Sequence, residues 1–401
     1  MTQFIMYDDG QGEFGPLTDL RPAGRLRTGS LLTQHRQARR LDAQLAACWT
    51  TSELALVLGE QLDVLVNELP EGDTHLCVNG RWSALDALTP PAVGAALIDA
   101  ASGDVVMATL DAPGARLLCE TGHLPDGVER VDTEAVLYRY PWDILDHLGR
   151  ALELDLSLSS IPVMTGDELK VHGAHPVLLH PGATVLPGVV ADTSGGPVVI
   201  NDGAVIRSNA SLCGPCSIGL GSTVMDGAVI RPRTVVGPQC KIAGEVGASI
   251  IHGYSNKAHD GHLGDSIIGC WVNLGAGTTN SNLLNTYAEV LMRLTPDSQV
   301  SRTGRAFMGA IIGDHVKTAI GTRLMTGTVL GTGCMIASTA PPPGTLDAFT
   351  WLTDRGRAHF RIDKFLDVAR AVMARRDLEP GPGEVGELTR LCEAAARRRS
   401  D

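Results

Sequence analysis

A parallel β-helix, preceded by an α/β domain and followed by C-terminal helices, is the fold class the sequence predicts. Three observations predict it. An aliphatic residue recurs at every sixth position from residue 200. The first 165 residues mix short strand and helix patterns instead, and an amphipathic helical pattern follows residue 345. The expected domains are therefore 1–165, 166–345 and 346–401.

In the first domain Phe4-Ile5-Met6-Tyr7 reads as a short apolar strand. Residues 31–48 (LLTQHRQARRLDAQLAAC) read as a helix, and so does Trp142–Leu154. Val64–Val66, Leu76–Val78 and Ala96–Leu97 read as strand fragments between loops.

The repeat sets the fold of the second domain. Ile200, Ile206, Leu212, Ile218, Val224, Ile230, Val236 and Ile242 follow one another without a break. Two places before each stands a small residue: Val198, Ala204, Ala210, Cys216, Ser222, Ala228, Thr234 or Cys240. The register resumes at Ile268 and Leu274, and again at Ile312, Thr318, Leu324, Leu330 and Ile336. Six residues make one short strand plus a bend, and three such units close a triangular coil. Stacked coils bury one large aliphatic per side. Neither the helical period of about 3.6 nor the strand period of about 2 yields an unbroken six. Two segments break the register, 243–262 and 279–309, and read as loops ejected from the solenoid. Such loops are where function concentrates.

After Ala340-Pro341-Pro342-Pro343-Gly344 the pattern turns helical. Asp363–Arg376 places Phe365, Leu366, Ala369 and Val372 on one face. Gly383–Arg399 reads as a second helix, its basic end suited to a helix C-terminus.

Composition narrows the function classes. A net charge of −12 argues against nucleic acid or an anionic membrane as partner. No stretch approaches the ~18 apolar residues of a membrane span, and acids stand where a signal peptide carries Lys or Arg. Nine scattered Cys point to reduced thiols and a cytoplasmic protein. Cys213-Gly214-Pro215-Cys216 spells a thioredoxin-like motif, but no βαβ pattern surrounds it and Cys216 falls on an inward position.

The repeat resembles the left-handed β-helix acyltransferases. The stretch SNKAHDGHLGDSIIGCWVNLGAGTTNSNL at 255–283 resembles the acetyltransferase half of the bifunctional N-acetylglucosamine-1-phosphate uridyltransferase/glucosamine-1-phosphate acetyltransferase family. FGPLTDLRPAGRLRTGSLLT, YPWD at 140–143 and DKFLDVARAVMARR resemble an alternate bacterial branch of it, described as sugar nucleotidyltransferases. The resemblance implies a nucleotidyltransferase-like first domain, a left-handed solenoid and a homotrimer. It implies acetyl transfer from acetyl-CoA to glucosamine 1-phosphate and uridylyl transfer from UTP, with Mg²⁺, giving UDP-N-acetylglucosamine.

Residue by residue, it places His259 on the general base, four before Leu263-Gly264-Asp265. It places Arg231 on a sugar-phosphate-binding arginine, and Asn273 and Asn282 on acceptor-site asparagines. Ala276 and Thr322 fall on the coenzyme A side. A family phosphate-binding Lys falls on Ser249, with Lys257 the nearest replacement; two family Tyr fall on His262 and Leu283. The residue types suit the chemistry: an amine attacking a thioester loses a proton, and an imidazole of ordinary pKa about 6.5 takes it near neutrality. Gly-rich backbone beside Ala276 offers N–H donors to a tetrahedral intermediate. An Arg fork suits a phosphate.

The first domain carries a second candidate site. Gly10-Gln11-Gly12-Glu13-Phe14-Gly15 spells G-x-G-x-x-G, but Pro16 follows where a dinucleotide fold starts a helix. The better comparison is a triphosphate-cradling loop, with Gly10, Gly12, Arg21, Arg25 and Asn79 as nucleotide contacts. Asp8 is the candidate metal ligand, Asp9 and Asp143 its competitors, and Asp143 equally suits a helix cap. The family's strand-end Gly-Asp is replaced by Asn79-Gly80.

Other readings stay open. One is a monofunctional hexapeptide acyltransferase acting on another sugar phosphate, its first domain degenerate. Another is a zinc enzyme like the γ-class carbonic anhydrases, using His252, His259 and His262. A third is a non-catalytic trimeric scaffold.

Overall fold

The computed structural model describes residues 2–163 and 169–400; the expected boundary at 165/166 lies outside the described residues. Two compact units emerge. The first comprises 1–14, 20–143 and 381–388, the second 15–19, 144–380 and 389–401.

The first unit is built on a seven-stranded sheet of order β3-β2-β1-β4-β6-β5-β7. The strands are β1 (Thr2–Tyr7), β2 (Ala43–Trp49), β3 (Leu65–Val66), β4 (Thr74–Asn79), β5 (Ala95–Asp99), β6 (Val105–Asp111) and β7 (Glu129–Thr133). β1 pairs in parallel with both β2 and β4, while β6 runs antiparallel to its neighbours. The chain leaves β1 toward β2 and later returns to its other side as β4. That reversal makes a crevice at the carboxyl ends of β1 and β4, the place where open α/β sheets bind ligands.

The helical reading of 31–48 holds only in its first part. Helix α1 (Thr33–Leu41) ends at Asp42, whose left-handed backbone (φ 46°) reverses the chain into β2. Ala47 and Cys48 are then buried beside Ile5 and Met6 of β1. Tertiary pairing overrides the local helical preference of the Ala-rich stretch. The expected helix at 142–154 is two, Pro141–Asp146 and Leu148–Ser157, separated at His147.

In the second unit the six-spaced residues point inward as the period requires. Ile206, Leu212, Ile218, Val224 and Ile230 are fully buried in one continuous column with the small residues Ala204, Ala210, Cys216 and Ala228. Parallel sheets run up the three sides of the coil. Burial pushes the Cys216 thiol up, which suits a packed core residue and not a redox thiol.

Two readings of the repeat need correction. Residues 243–262 are not ejected from the solenoid. Glu245–Gly247, Ile250–Gly253 and Asn256–Lys257 continue all three sheets, Glu245 pairing with Val229 below and His262 above. Shortened turns shift the six-residue phase without breaking the ladders. The solenoid also continues past Pro341–Gly344. Thr345–Leu346 and Thr350–Thr353 pair in parallel with earlier coils, and Leu346 and Leu352, six apart, join the core. The helical part begins only at Ile362–Met373, followed later by Pro382–Ser400. The segment 283–309 does leave the coil, and contains the antiparallel pair Leu291–Met292 and Ser301–Arg302. Among the described residues, no helix is long and apolar enough to cross a membrane.

Candidate functional site

On the solenoid, one side gathers a polar cluster. Arg231 follows the strand Val229–Ile230, Glu245 opens the next strand on that side and His262 the one after. Arg231 Nε donates to Glu245 Oε1 at 2.9 Å, and His262 Nδ1 lies 4.0 Å from Glu245 Oε2. Gly264 keeps this cluster open. A Cβ there would lie 2.5 Å from His262 Nε2 and 2.7 Å from Asn282 Nδ2, so any side chain would collide with both. Asn282 is oriented from behind: its Nδ2 donates to Asp265 Oδ2 at 2.7 Å. Asp265 in turn accepts from Arg305 Nη2 at 3.2 Å, and Arg305 also pairs with Asp146. The excursion at 283–309 thus supplies the arginine that fixes the carboxylate that fixes Asn282.

His259 sits at an exposed bend just before this strand. The bend is held from inside. Lys257 is buried, and its ammonium donates to the carbonyls of Ala243 at 2.9 Å and His259 at 3.0 Å. Lys257 therefore braces the backbone under His259 and points away from the surface. Burial pulls its pKa down to about 8. Lys257→Met should cost about 1–3 kcal/mol, the penalty of leaving buried carbonyls without a donor. The sign with pH follows from the same burial. The folded chain sheds this proton near pH 8 and the unfolded chain near its ordinary 10.5, so stability gains between those values in wild type. Urea titrations across that window should show the gain shrinking in the variant.

The remaining solenoid candidates lie elsewhere. Asn273 is exposed on another side, bridged to Asn256 and Lys317. Ala276 is in the turn that follows, its carbonyl accepting from Gly321 N–H. The Thr322 side chain is buried, its hydroxyl donating to Ala319 O at 2.8 Å, so only its backbone faces the turn. The three histidines of the zinc reading do not converge. His252 is buried in the strand Ile250–Gly253, on a different side from His262, and His259 is at the bend. Among the described residues, no group of three or more His, Cys, Asp or Glu side chains could hold a metal ion.

In the first unit Gly10 follows the end of β1 and Asn79 closes β4, both at the crevice. Asp8 Oδ1 accepts from Gly10 N–H at 3.1 Å and Oδ2 from Ala23 N–H at 3.2 Å. This ties the glycine loop to the turn Ala23–Arg25, beside Arg21. Arg25 reaches Gln61 at 3.3 Å. Gly12 is required by contact: a Cβ would lie 2.3 Å from the Phe14 ring. Asn79 is fully buried at the end of β4, its amide donating to Asp9 Oδ2 and Val105 O, both at 2.8 Å. An adjoining cavity of about 350 Å³ is lined by Tyr7, Asp9, Gln11, Asp104, His123 and Arg130 among others.

The centre of this crevice is an arginine that sequence reasoning missed. Arg81 is 2% exposed, and its Nε and Nη2 donate to both Asp9 oxygens at 2.8 and 2.6 Å. Nη2 also reaches Asp104 Oδ2 at 2.6 Å. Burial pushes the Asp9 carboxyl up, but Arg81 and Asn79 outweigh it and hold it below the ordinary range. Asp8 shows the opposite balance: burial raises it in spite of its two N–H donors. Asp143 accepts from the N–H groups of Arg139 and Tyr140, both at 2.7 Å, a local turn role.

These residues do not fit a protein-held Mg²⁺. A hard cation wants free carboxylate oxygens. Asp9 is filled by a guanidinium, both Asp8 oxygens accept backbone N–H groups, and position 79 offers an amide already spent. Asp8, the expected metal ligand, instead anchors the glycine loop to the turn Ala23–Arg25 through those two N–H groups.

Residues 4–160 match the family described as sugar nucleotidyl transferase. A bifunctional sugar-1-phosphate nucleotidylyltransferase/acetyltransferase of Sulfurisphaera tokodaii is 35% identical over 138 residues, 34% of each chain. The bifunctional protein GlmU of Methanococcus maripaludis is 35% identical over 147 residues, 36% of this chain and 34% of the relative. That of Methanocaldococcus jannaschii is 32% identical over 136 residues, 33% of each. The chain thus spans about a third of the length of the curated relatives it matches. Residues 4–160 are thus similar in sequence to sugar nucleotidyl transferases, and they stand ahead of a parallel β-helix built on a six-residue repeat.

Proposed function

We propose that the chain acetylates glucosamine 1-phosphate from acetyl-CoA on its solenoid and transfers uridylyl from UTP in its first unit, giving UDP-N-acetylglucosamine. The observation that carries the solenoid half is the convergence of Arg231, His262 and Asn282 on one side, beside the braced bend of His259. In this reading the Arg231 guanidinium, with Nε on Glu245 and its outer nitrogens left over, binds the sugar phosphate. The Asn282 amide, held by Asp265, orients the acceptor. The attacking amine passes its proton to His259 as the carbon–nitrogen bond forms and the thiolate of coenzyme A leaves. Backbone near Ala276 and Thr322 lies along the acyl donor. Asn273, on another side of the same coil, would reach the acceptor only across a subunit boundary, so the reading includes a homotrimer.

For the first unit, the proposal rests on the family match and on the glycine loop at the β1/β4 crevice. No step is assigned to Mg²⁺, since the carboxylates are committed to Arg81. That same commitment favours a second reading: an acyltransferase on a sugar phosphate whose first unit binds a nucleotide without transferring it.

One incubation separates them. The full chain is mixed with acetyl-CoA, UTP and glucosamine 1-phosphate, and free thiol and pyrophosphate are followed separately. Both products are expected under the first reading, thiol alone under the second. Neither product overturns both, and a monomer by light scattering overturns the trimer.

A further inference from the structure

The chain leaves the coil after Asn282 and returns through Met308 and Gly309, against the corner residue Asp265. The two ends of this excursion are zipped together. Leu283 and Phe307 bridge antiparallel, and Met308 N–H donates to Asn282 O at 2.8 Å. Gly309 N–H donates to Asp265 O, also at 2.8 Å. The stem therefore delivers Arg305, near its returning end, to the same corner as Asn282.

Arg233, Ala248 and Asp265 occupy this corner in successive coils, all with left-handed backbone at φ 59°, 46° and 46°. Asp tolerates that region better than most residues. The Asp265 side chain is 8% exposed, and both its oxygens are used. Oδ2 accepts from Asn282 Nδ2 at 2.7 Å and Oδ1 from Arg305 Nη2 at 3.2 Å. Arg305 is committed on its other sides. Its Nε donates to Phe307 O at 3.0 Å, and its Nη1 to Asp146.

These contacts decide which way round the Asn282 amide stands. A carboxylate paired with a guanidinium accepts and does not donate, so the end of the amide facing Asp265 is the NH2. The other end, Oδ1, meets no donor among the described residues. Asn282 is half-buried, on the rim of the gap that Gly264 leaves beside His262. An oxygen held there can accept from a ligand N–H or O–H.

We propose that Asp265 and Arg305 are positioning residues that hold Asn282 with its amide oxygen toward the acceptor. This part of the site then reads a donor on the substrate: the amine that is acetylated, or a hydroxyl next to it. The inference rests on the acetyl-transfer reading of the solenoid. Arg305 sets the polarity of the contacts. A guanidinium only donates, so the side chain at 265 must turn an oxygen toward it. With Asp at 265 the second group is an oxygen too, and Asn282 answers with its NH2. With an amide at 265 the second group would be an NH2. Asn282 would then have to turn over and put its own NH2 outward.

Two isosteric exchanges on the full chain test this. Asp265→Asn and Asn282→Asp keep side-chain size, and Asn suits the left-handed corner as Asp does, so the fold survives; circular dichroism checks it. Acetyl transfer is followed as free thiol from acetyl-CoA and glucosamine 1-phosphate. Asp265→Asn turns the Asn282 amide over, and Asn282→Asp sets two carboxylates face to face. Each should raise KM for the sugar phosphate about tenfold or more while lowering kcat less. The double variant Asp265→Asn/Asn282→Asp exchanges the roles. The new amide at 265 donates to the new carboxylate at 282, which keeps an oxygen outward. It should bring KM back to within about threefold of wild type, a recovery that two independent structural losses do not give. Without the demand of Arg305, the amide at 265 could face its oxygen to Asn282 and the single exchange would be silent. A folded Asp265→Asn variant with wild-type KM therefore overturns the proposal. A double variant no better than Asn282→Asp overturns it too, since the amide N–H would then be what meets the acceptor. Thiol release by wild type with either of those results removes this inference alone. No thiol release by wild type removes the acetyl-transfer reading and the inference with it.

Discussion

Arg81→Ala should destabilise the first unit by about 3–5 kcal/mol, the cost of removing one partner from a buried ion pair. The figure is large because Arg81 and Asp9 are 2% and 8% exposed, so water cannot replace the guanidinium. The loss strands Asp9 and leaves Asp104 without its cation. A typical domain has only about 5–15 kcal/mol to lose, so the variant unit should approach unfolding near physiological temperature. Arg81→Lys keeps the charge but not the fork, and should recover part of the loss. Arg81→Ala/Asp9→Asn should recover part of it too, by removing the stranded charge. The pH sign is fixed by Asp9. Its folded pKa is held below the ordinary 3.8, so its contribution is present above that value and fades as pH falls through the folded pKa. The gap between wild type and Arg81→Ala should therefore narrow in acid. Denaturant titration of the first unit's transition measures all of these. The same variant tests the commitment of the carboxylates. Once freed, Asp9 and Asp104 should let Mn²⁺ stabilise Arg81→Ala while leaving wild type unmoved. Stabilisation of wild type by Mn²⁺, abolished by Asp9→Asn, would show that the guanidinium yields to a metal.

The solenoid was legible because its period is a packing constraint. Each of Ile206, Leu212, Ile218 and Val224 fills the same inward position, so a polar residue at any of them would open the core. What misled the reading was phase. The turns between 242 and 262 drop residues, and so does the coil that holds the Pro-rich stretch at 341–344, so the count by six fails while the ladders persist. Leu346 and Leu352, themselves six apart, carried the signal that the coil continued. In the first unit the stretch after Asp42 reads as helix because Ala, Gln and Leu favour it locally. Only pairing with β1 makes it a strand, and pairing at that distance is not written in local sequence.

Sites were legible to the extent that they sit in motifs. Arg231, His259 and Asn282 are candidates because resemblance named them, and Asn282 stands beside His262. Their supports were not found. Glu245, Asp146 and Arg305 lie outside the 255–283 stretch and reach the cluster only through coil stacking and the excursion at 283–309. Asp265 was in plain view as the last residue of Leu-Gly-Asp, and its job of holding Asn282 is visible only in three dimensions. Arg81 gave one hint: it follows an Asn-Gly standing where a Gly-Asp was expected. A lost carboxylate beside a gained cation is a charge change of one sign, and it accompanies a site in which a guanidinium occupies the carboxylates.

His259→Ala should lower acetyl transfer by a factor of about 10²–10⁴, the usual worth of a positioned acid or base. The fold should survive, because the side chain is exposed at a bend that Lys257 holds through the backbone carbonyl, which the substitution keeps. Uridylyl transfer, read as pyrophosphate release with N-acetylglucosamine 1-phosphate supplied directly, should be unchanged, since its candidate residues all lie within the first unit. His262→Ala is the matched comparison. His262 has a carboxylate 4.0 Å from Nδ1 and the Asn282 amide on the side of Nε2, an arrangement suited to orienting an acceptor. Its loss should raise KM for the sugar phosphate more than it lowers kcat, whereas His259→Ala should do the reverse. Glu245→Gln should follow His262→Ala, because Glu245 touches both Arg231 and His262. Circular dichroism establishes that each variant is folded before its rate is read. If His259→Ala turns over at the wild-type rate while His262→Ala loses kcat, the base is His262, oriented by Glu245, and the bend at 259 is only a neighbour. If both keep full activity, acetyl transfer is not carried out on this side of the coil.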